Sequence, residues 1–83
     1  MLFHVTQRHT PESCPLNSGG STSLYDADAE GVALVAAYGA YAEHAVYYVL
    51  EADDIKAVHR FLLPGFERCV CDVTPVVEGA LVG

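Results

Sequence analysis

The chain has 83 residues and a formal net charge of −7 at pH 7, because eleven Asp and Glu residues outnumber four Lys and Arg residues. Since there is no basic cluster, we expect neither nucleic acid nor a membrane surface as a partner. Hydrophobic residues make up 52% of the sequence, more than a small monomer buries, which predicts a homodimer or higher homo-oligomer. The absence of a signal peptide or membrane-spanning run, together with an odd count of three cysteines, predicts a cytoplasmic protein.

The first third of the chain predicts a strand followed by a long connection. Residues 2–9 are apolar and β-branched and stop at Pro11, which is typical of a strand and its end. Residues 11–23 are rich in Pro, Ser, Gly, Asn and Thr and predict a loop. Residues 24–30 predict a short helix with acidic residues near its start, ended by Gly31.

The middle of the chain predicts a β-hairpin. Residues 32–38 and 44–51 are the two strands, joined by a reversal over residues 39–43. The alanines leave a helix over residues 32–45 as an alternative, but the aromatic and β-branched content favours strands.

The last third predicts an amphipathic helix and a final strand. Asp53 or Asp54 is the expected N-cap, apolar residues recur at a spacing of three to four, and Pro64 and Gly65 end the helix. Residues 66–77 predict the last strand. We expect one domain over residues 1–78 and a tail over residues 79–83.

This order of elements predicts an α+β fold, namely a ferredoxin-like βαββαβ plait with a shortened first helix. Right-handed crossovers place the strands in the antiparallel order 4-1-3-2, with the helices on one face. Both faces of the third strand carry apolar residues, with Val46, Tyr48 and Leu50 alternating with Ala45, Tyr47 and Val49. We therefore expect two sheets to pack face to face in a dimer.

The predicted topology brings a set of possible metal ligands to one edge of the sheet. The first strand ends at His9 beside the start of the third strand at His44, and the following turn carries Glu12 and Cys14. Two imidazoles, a thiolate and an assisting carboxylate suit tetrahedral zinc first and copper second. The structural alternative is that His9 and Glu12 stabilise the turn while Cys14 is a small buried hydrophobic residue.

A second group of candidate site residues lies around the hairpin. Tyrosines combine a flat apolar ring with a polar tip, which suits either a pocket for a small organic ligand or a dimer interface. His4 lies on the opposite face from His9 by strand parity, and we assign it to such a pocket or interface. The predicted pocket residues are His4, Tyr38, Tyr41, Tyr47 and Tyr48.

The other nucleophilic residues give weaker signals. Cys69 and Cys71 share one face of the last strand, which suits a soft metal or oxidation but is also ordinary core patterning. Cys14 with a histidine base suggests a nucleophile, yet no oxyanion arrangement is recognisable. The sequence therefore leaves the catalytic residues, if there are any, unknown.

Several segments together resemble a known group of proteins. They are residues 1–5 (Met-Leu-Phe-His-Val), residues 9–15 (His-Thr-Pro-Glu-Ser-Cys-Pro), the hairpin over residues 43–53, the helix end Phe-Leu-Leu-Pro-Gly-Phe and the closing Val-Thr-Pro-Val. The chain resembles small, largely uncharacterised prokaryotic proteins of the dimeric α+β barrel superfamily, which includes muconolactone isomerases and quinol-type monooxygenases. The resemblance implies two sheets packed into a barrel, with a ligand cavity between helices and sheet.

The chain departs from the usual fold of this superfamily at residues 17–23, where a Gly/Ser-rich stretch replaces a long amphipathic helix. No catalytic set of either enzyme class carries over, so the resemblance implies neither activity.

Three functional hypotheses follow. The leading one is a homodimeric cytosolic protein that binds a transition metal through His9, Cys14 and His44, with Glu12 assisting. The second is a cofactor-independent small-molecule binding protein or enzyme that uses the tyrosine-lined pocket. The third is a structural or oligomerisation module with no site.

Overall fold

The structure, a computed structural model, describes residues 1–15 and 19–79. Part of the predicted loop (residues 16–18) and most of the predicted tail (residues 80–83) therefore lie outside the described residues. The strands are β1 (Leu2–Arg8), β2 (Val32–Ala40), β3 (Ala45–Ala52) and β4 (Val70–Val76), and the α-helix is α1 (Ile55–Leu62). Short 3-10 turns cover Pro11–Ser13, Ser21–Leu24, Tyr41–Glu43 and Leu63–Gly65.

The four strands form one antiparallel sheet in the order β2-β3-β1-β4. This is the predicted order 4-1-3-2 counted from the other edge of the sheet. In the centre of the sheet Val5 of β1 lies opposite Tyr48 of β3 on one side and Val73 of β4 on the other. The α+β class and the antiparallel sheet are confirmed, and the alternative helix over residues 32–45 is wrong.

The helix α1 forms where the apolar spacing predicted it. Asp54 is the N-cap, and its carboxylate accepts a hydrogen bond from the backbone N–H of Ala57 at 2.9 Å. This bond satisfies one of the free N–H groups at the start of a helix. The buried side of α1, formed by Ala57, Val58, Phe61 and Leu62, packs against one face of the sheet.

The predicted helix over residues 24–30 is wrong. Tyr25 is extended, with φ −147° and ψ 161°, and its ring stacks on Phe61 at a centroid distance of 4.9 Å. The Asp26 carboxylate accepts a hydrogen bond from the backbone N–H of Asp28 at 2.9 Å, and the Asp26 N–H donates to the carbonyl of Phe61. An aspartate that binds the backbone two residues ahead favours a turn over a helix, so the short side chains of this segment decide its conformation.

The last strand begins later than predicted. Residues 66–69 form turns rather than the start of the strand, because the N–H groups of Arg68 and Cys69 both donate to the carbonyl of Gly65. The strand β4 then begins at Val70.

The two faces of the sheet differ in cover. The core lies between α1 and the face that carries Phe3, Val5, Tyr48 and Leu50, all of them buried. The opposite face, called the outer face here, carries His4, Tyr47 and Val49 at its centre, all half-buried. At the margins of the outer face Tyr38 is 64% exposed and Val70 is 69% exposed. Among the described residues, no helix has the length and apolar content needed to cross a membrane.

Candidate metal centre

His9 is held opposite His44 by the register of the sheet. The last pair of the β1–β3 ladder is Arg8 with Ala45, and the His9 N–H extends that ladder by donating to the His44 carbonyl at 2.9 Å. The two imidazole rings lie with their centroids 5.4 Å apart and their planes at 80°. Antiparallel pairing alone therefore brings together two histidines that are far apart in the sequence.

His44 has an unusual backbone conformation. It follows the 3-10 turn Tyr41–Glu43, has φ 52° and ψ 47°, and donates its N–H to the Tyr41 carbonyl at 3.2 Å. It is the one non-glycine residue with a positive φ among the described residues. This left-handed conformation costs about 1–2 kcal/mol for a residue with a Cβ, and such strain concentrates at functional sites.

Cys14 is positioned by a short turn that is fixed at both ends. Thr10 and Ser13 form a capping box, in which the Thr10 N–H donates to the Ser13 hydroxyl at 3.1 Å and the Ser13 N–H donates to the Thr10 hydroxyl at 3.4 Å. Arg68 donates from Nη2 to the Ser13 carbonyl at 3.1 Å and from Nη1 to the Ser23 hydroxyl at 3.3 Å. The guanidinium therefore connects the entry of β4 to the turn that carries Cys14.

These three residues form the candidate metal group. One ring nitrogen of His9, the Sγ of Cys14 and one ring nitrogen of His44 all lie within 4.8 Å of one another, and all three residues are half-buried. Among the described residues no group donates a hydrogen bond to, or accepts one from, the buried Nδ1 atoms of His9 and His44. Buried polar atoms without a partner are uncommon and often mark a place where an ion or water binds. Glu12, the predicted assisting ligand, is exposed in the same turn and is not part of this group.

The charges around the group favour the form of histidine that ligates metals. Burial lowers the pKa of His9, and the coulombic interactions of His9 with His44 and with the Arg68 guanidinium lower that pKa further. A lowered pKa keeps the imidazole neutral, which is the state that donates a lone pair to a metal ion.

The family of the chain is known from a comparison with protein-family models. The match is to DUF3303, described as a domain of unknown function, and it extends over residues 1–83. The chain belongs to the DUF3303 family. No curated protein matches the chain, and no solved structure matches it.

The predicted tyrosine pocket of this DUF3303 chain is divided between different parts of the fold. Tyr38 and Tyr41 line a cavity of about 390 Å³ beside the metal group. Tyr48 lies in the core instead, where its hydroxyl donates to Oε1 of Gln7 at 2.7 Å. Tyr47 lies between the core-facing residues Val46 and Tyr48 of β3, so it points to the outer face, because neighbouring strand residues alternate.

The predicted pocket residue His4 lies on the outer face as well. Its ring centroid is 6.1 Å from that of Tyr47, whose hydroxyl donates to Glu43 at 2.7 Å. Strand parity, which separates His4 from His9, separates Tyr47 from Tyr48 in the same way.

Cys69 and Cys71 have the structural role that core patterning indicates. Both are free thiols, half-buried and packed against the core cluster of the DUF3303 chain. Burial raises the pKa of Cys69 and of Cys71, although a hydrogen bond from Gln7 acts against the rise at Cys71. A raised pKa keeps a thiol protonated and therefore unreactive.

Sequence reasoning missed Arg68. The sequence showed it as one of a few scattered basic residues, with no motif that links it to the turn before Cys14. Its role depends on the position of the entry to β4 beside the Thr10–Ser13 capping box, which only the fold provides.

Proposed function

We propose that this protein binds a transition metal ion, zinc first and copper second, through His9, Cys14 and His44. The observation that carries the proposal is the convergence of the three donor atoms within 4.8 Å of one another. Donors around a tetrahedral zinc ion stand about 3.4–3.7 Å apart, so the group needs to close by roughly 1 Å to hold one. The buried Nδ1 atoms of His9 and His44 support the same proposal, because a polar atom without a hydrogen-bond partner gains a partner when it binds a metal ion.

The donor set supports zinc and copper over other metals. Imidazole nitrogen and thiolate sulfur are the ligands that zinc and copper prefer, whereas magnesium and calcium prefer oxygen. Glu12 is proposed only as an assisting residue, through movement of its turn or through water. The free state of all three cysteines supports a reducing compartment, and we propose the cytoplasm.

The proposal is tested with protein purified without a histidine tag. We expect elemental analysis to find about one zinc per chain, and zinc to raise the melting temperature of the metal-free protein, since a ligand that binds the native state stabilises it. A chain that carries no stoichiometric metal, and whose melting temperature neither zinc nor copper changes, contradicts the proposal.

Variants assign the ligands. Cys14→Ser removes the thiolate at nearly constant size, and His44→Asn removes an imidazole while keeping a residue that tolerates a positive φ. We expect each to weaken zinc binding by about 100-fold or more in a competition assay with a chromophoric chelator. His59→Ala is the matched control, because His59 is exposed on α1 and should leave zinc affinity unchanged.

We also propose that the protein is a homodimer with the ferredoxin-like plait and the face-to-face packing of the dimeric α+β barrel superfamily. The strand order β2-β3-β1-β4 and the placement of α1 on one face of the sheet support this proposal. The outer face, with Tyr47 and Val49 only half-buried and Val70 mostly exposed, offers the apolar surface that a second copy would cover.

A further inference from the structure

A cavity of about 390 Å³ adjoins the proposed metal centre. His9 and Cys14 belong both to the metal group and to the wall of this cavity. Its volume lies within the range of about 300–1,000 Å³ that is typical of small-molecule sites. A molecule in the cavity is therefore within reach of a metal ion held by these residues.

The ligand count leaves one coordination position open. Among the described residues the group offers three donors, and no further His, Cys, Asp or Glu joins them. Zinc in proteins is almost always four-coordinate, and sites with three protein ligands give the fourth position to water or to a substrate. An exogenous donor in the cavity can take that position.

The wall of the cavity selects the kind of molecule. Tyr38 and Tyr41 supply aromatic rings at the end of β2 and in the turn after it, and both are largely exposed, so a ligand can enter from solvent. None of the described residues that line the cavity is Lys, Arg, Asp or Glu. The apolar part of the wall consists of Pro15, Ala37, Ala40, Ala45 and Val46.

This lining disfavours multiply charged ligands. A phosphate or a tricarboxylate finds no cationic side chain among the described residues of the wall to replace its lost hydration, and the chain as a whole has a net charge of −7. A molecule with an apolar, flat body and one donor atom loses little hydration, and its ring can pack against the tyrosines.

We propose that the cavity binds a small aromatic molecule whose single thiol, phenol or carboxylic acid group takes the open position on the metal ion. This inference rests on the proposed metal site. It adds the class of ligand and assigns Tyr38 and Tyr41 to the contact with its ring.

Cobalt in place of zinc makes the coordination visible. The d–d absorption of Co²⁺ depends on the number and kind of its ligands, so the spectrum reports both metal binding and entry of an exogenous donor. We expect benzoate and thiophenol to change the spectrum of the cobalt-loaded protein saturably. We expect acetate, which has the donor of benzoate without its ring, to bind at least about tenfold more weakly, and inorganic phosphate to leave the spectrum unchanged.

A cavity-filling variant tests the location. Gly39 lines the cavity in a strand conformation open to other residues, and a Cβ there would come no closer than 3.6 Å to any atom, the nearest belonging to the Tyr41 ring. Gly39→Leu should keep the cobalt spectrum but weaken benzoate binding by about tenfold or more. Ala33→Leu, at an exposed position of the same strand, is the matched control, and this variant should bind cobalt and benzoate as the wild type does. If Gly39→Leu fails to fold, Ala37→Phe fills the same cavity from another exposed position.

The outcomes separate the two proposals. A protein that shows no cobalt–thiolate spectrum, and whose melting temperature neither zinc nor copper changes, overturns both the metal site and this inference. A protein that binds cobalt but whose spectrum no aromatic ligand changes overturns this inference alone. Equal benzoate affinity in the cavity-filling variant and the wild type also overturns it, because the ligand then binds elsewhere.

Discussion

Gln7 is a polar residue with no exposed surface, one residue before the end of β1. Its Oε1 accepts a hydrogen bond from the Tyr48 hydroxyl at 2.7 Å, and its Nε2 donates to the Leu24 carbonyl at 3.1 Å. A buried amide is stable only when both ends are bonded, and here the bonds connect two strands to the loop before β2. No sequence motif indicates this network, which holds in place the loop for which the sequence predicts a helix.

Gly65 makes room for that network. A Cβ at Gly65 would lie 2.6 Å from Nε2 of Gln7 and 2.6 Å from the Leu24 carbonyl oxygen. We predict that Gly65→Ala destabilises the protein by about 1–3 kcal/mol, because buried atoms with fixed partners must shift. Urea unfolding measures the change. Gly39→Ala is the control, since its Cβ meets nothing closer than 3.6 Å, and equal unfolding midpoints for the two variants would contradict the steric argument.

The reactivity of Cys69 and Cys71 follows from burial. Because burial raises the pKa of each thiol above the ordinary 9.0, both stay protonated at pH 8, and we predict slow alkylation by iodoacetamide that accelerates only as the pH rises beyond 9.0. The folded state holds these protons more tightly than the unfolded state, so stability from these groups is complete below that pH and falls above it.

Mass spectrometry of peptides from the alkylated protein distinguishes the three cysteines. Zinc should protect Cys14 and leave the rates at Cys69 and Cys71 unchanged. Rapid modification of Cys69 or Cys71 in the folded protein at pH 8 would show that these thiols are not packed against the core.

At the scale of elements, the predictable parts are those in which one periodicity dominates. The spacing of apolar residues in α1 and the β-branched content of β1 and β3 gave their positions to within a residue or two. The connection after β1 could not be predicted in the same way, because its short polar side chains bond to the backbone locally and its path depends on Gln7 and Phe61. The juxtaposition of His9 and His44 was predictable because it follows from strand order alone.

The N-cap of α1 is the element-scale feature with the clearest energetic consequence. We predict that Asp54→Ala lowers the free energy of unfolding by about 0.5–2 kcal/mol, because the Ala57 N–H loses its bond to the carboxylate. Asp53→Ala removes the same charge one residue earlier and is the control. Urea unfolding should show a smaller effect for Asp53→Ala, and the reverse order would assign the cap to Asp53.

At the scale of the whole molecule, one sheet face is covered by α1 and the other is open, and the proposed dimer buries the open one. Val49 lies at the centre of the outer face, opposite His4 in the β1–β3 pairing. A lysine there would place an unpaired charge inside a face-to-face interface, which costs several kcal/mol. We therefore predict that Val49→Lys converts a dimer into a monomer, whereas Leu63→Lys, at a position 64% exposed on the helix side, leaves the dimer intact. Light scattering after size-exclusion chromatography distinguishes the 8.9 kDa monomer from twice that mass. A wild-type protein with the mass of a monomer at every concentration would contradict the dimer, and a dimer that survives Val49→Lys would move the interface to another surface.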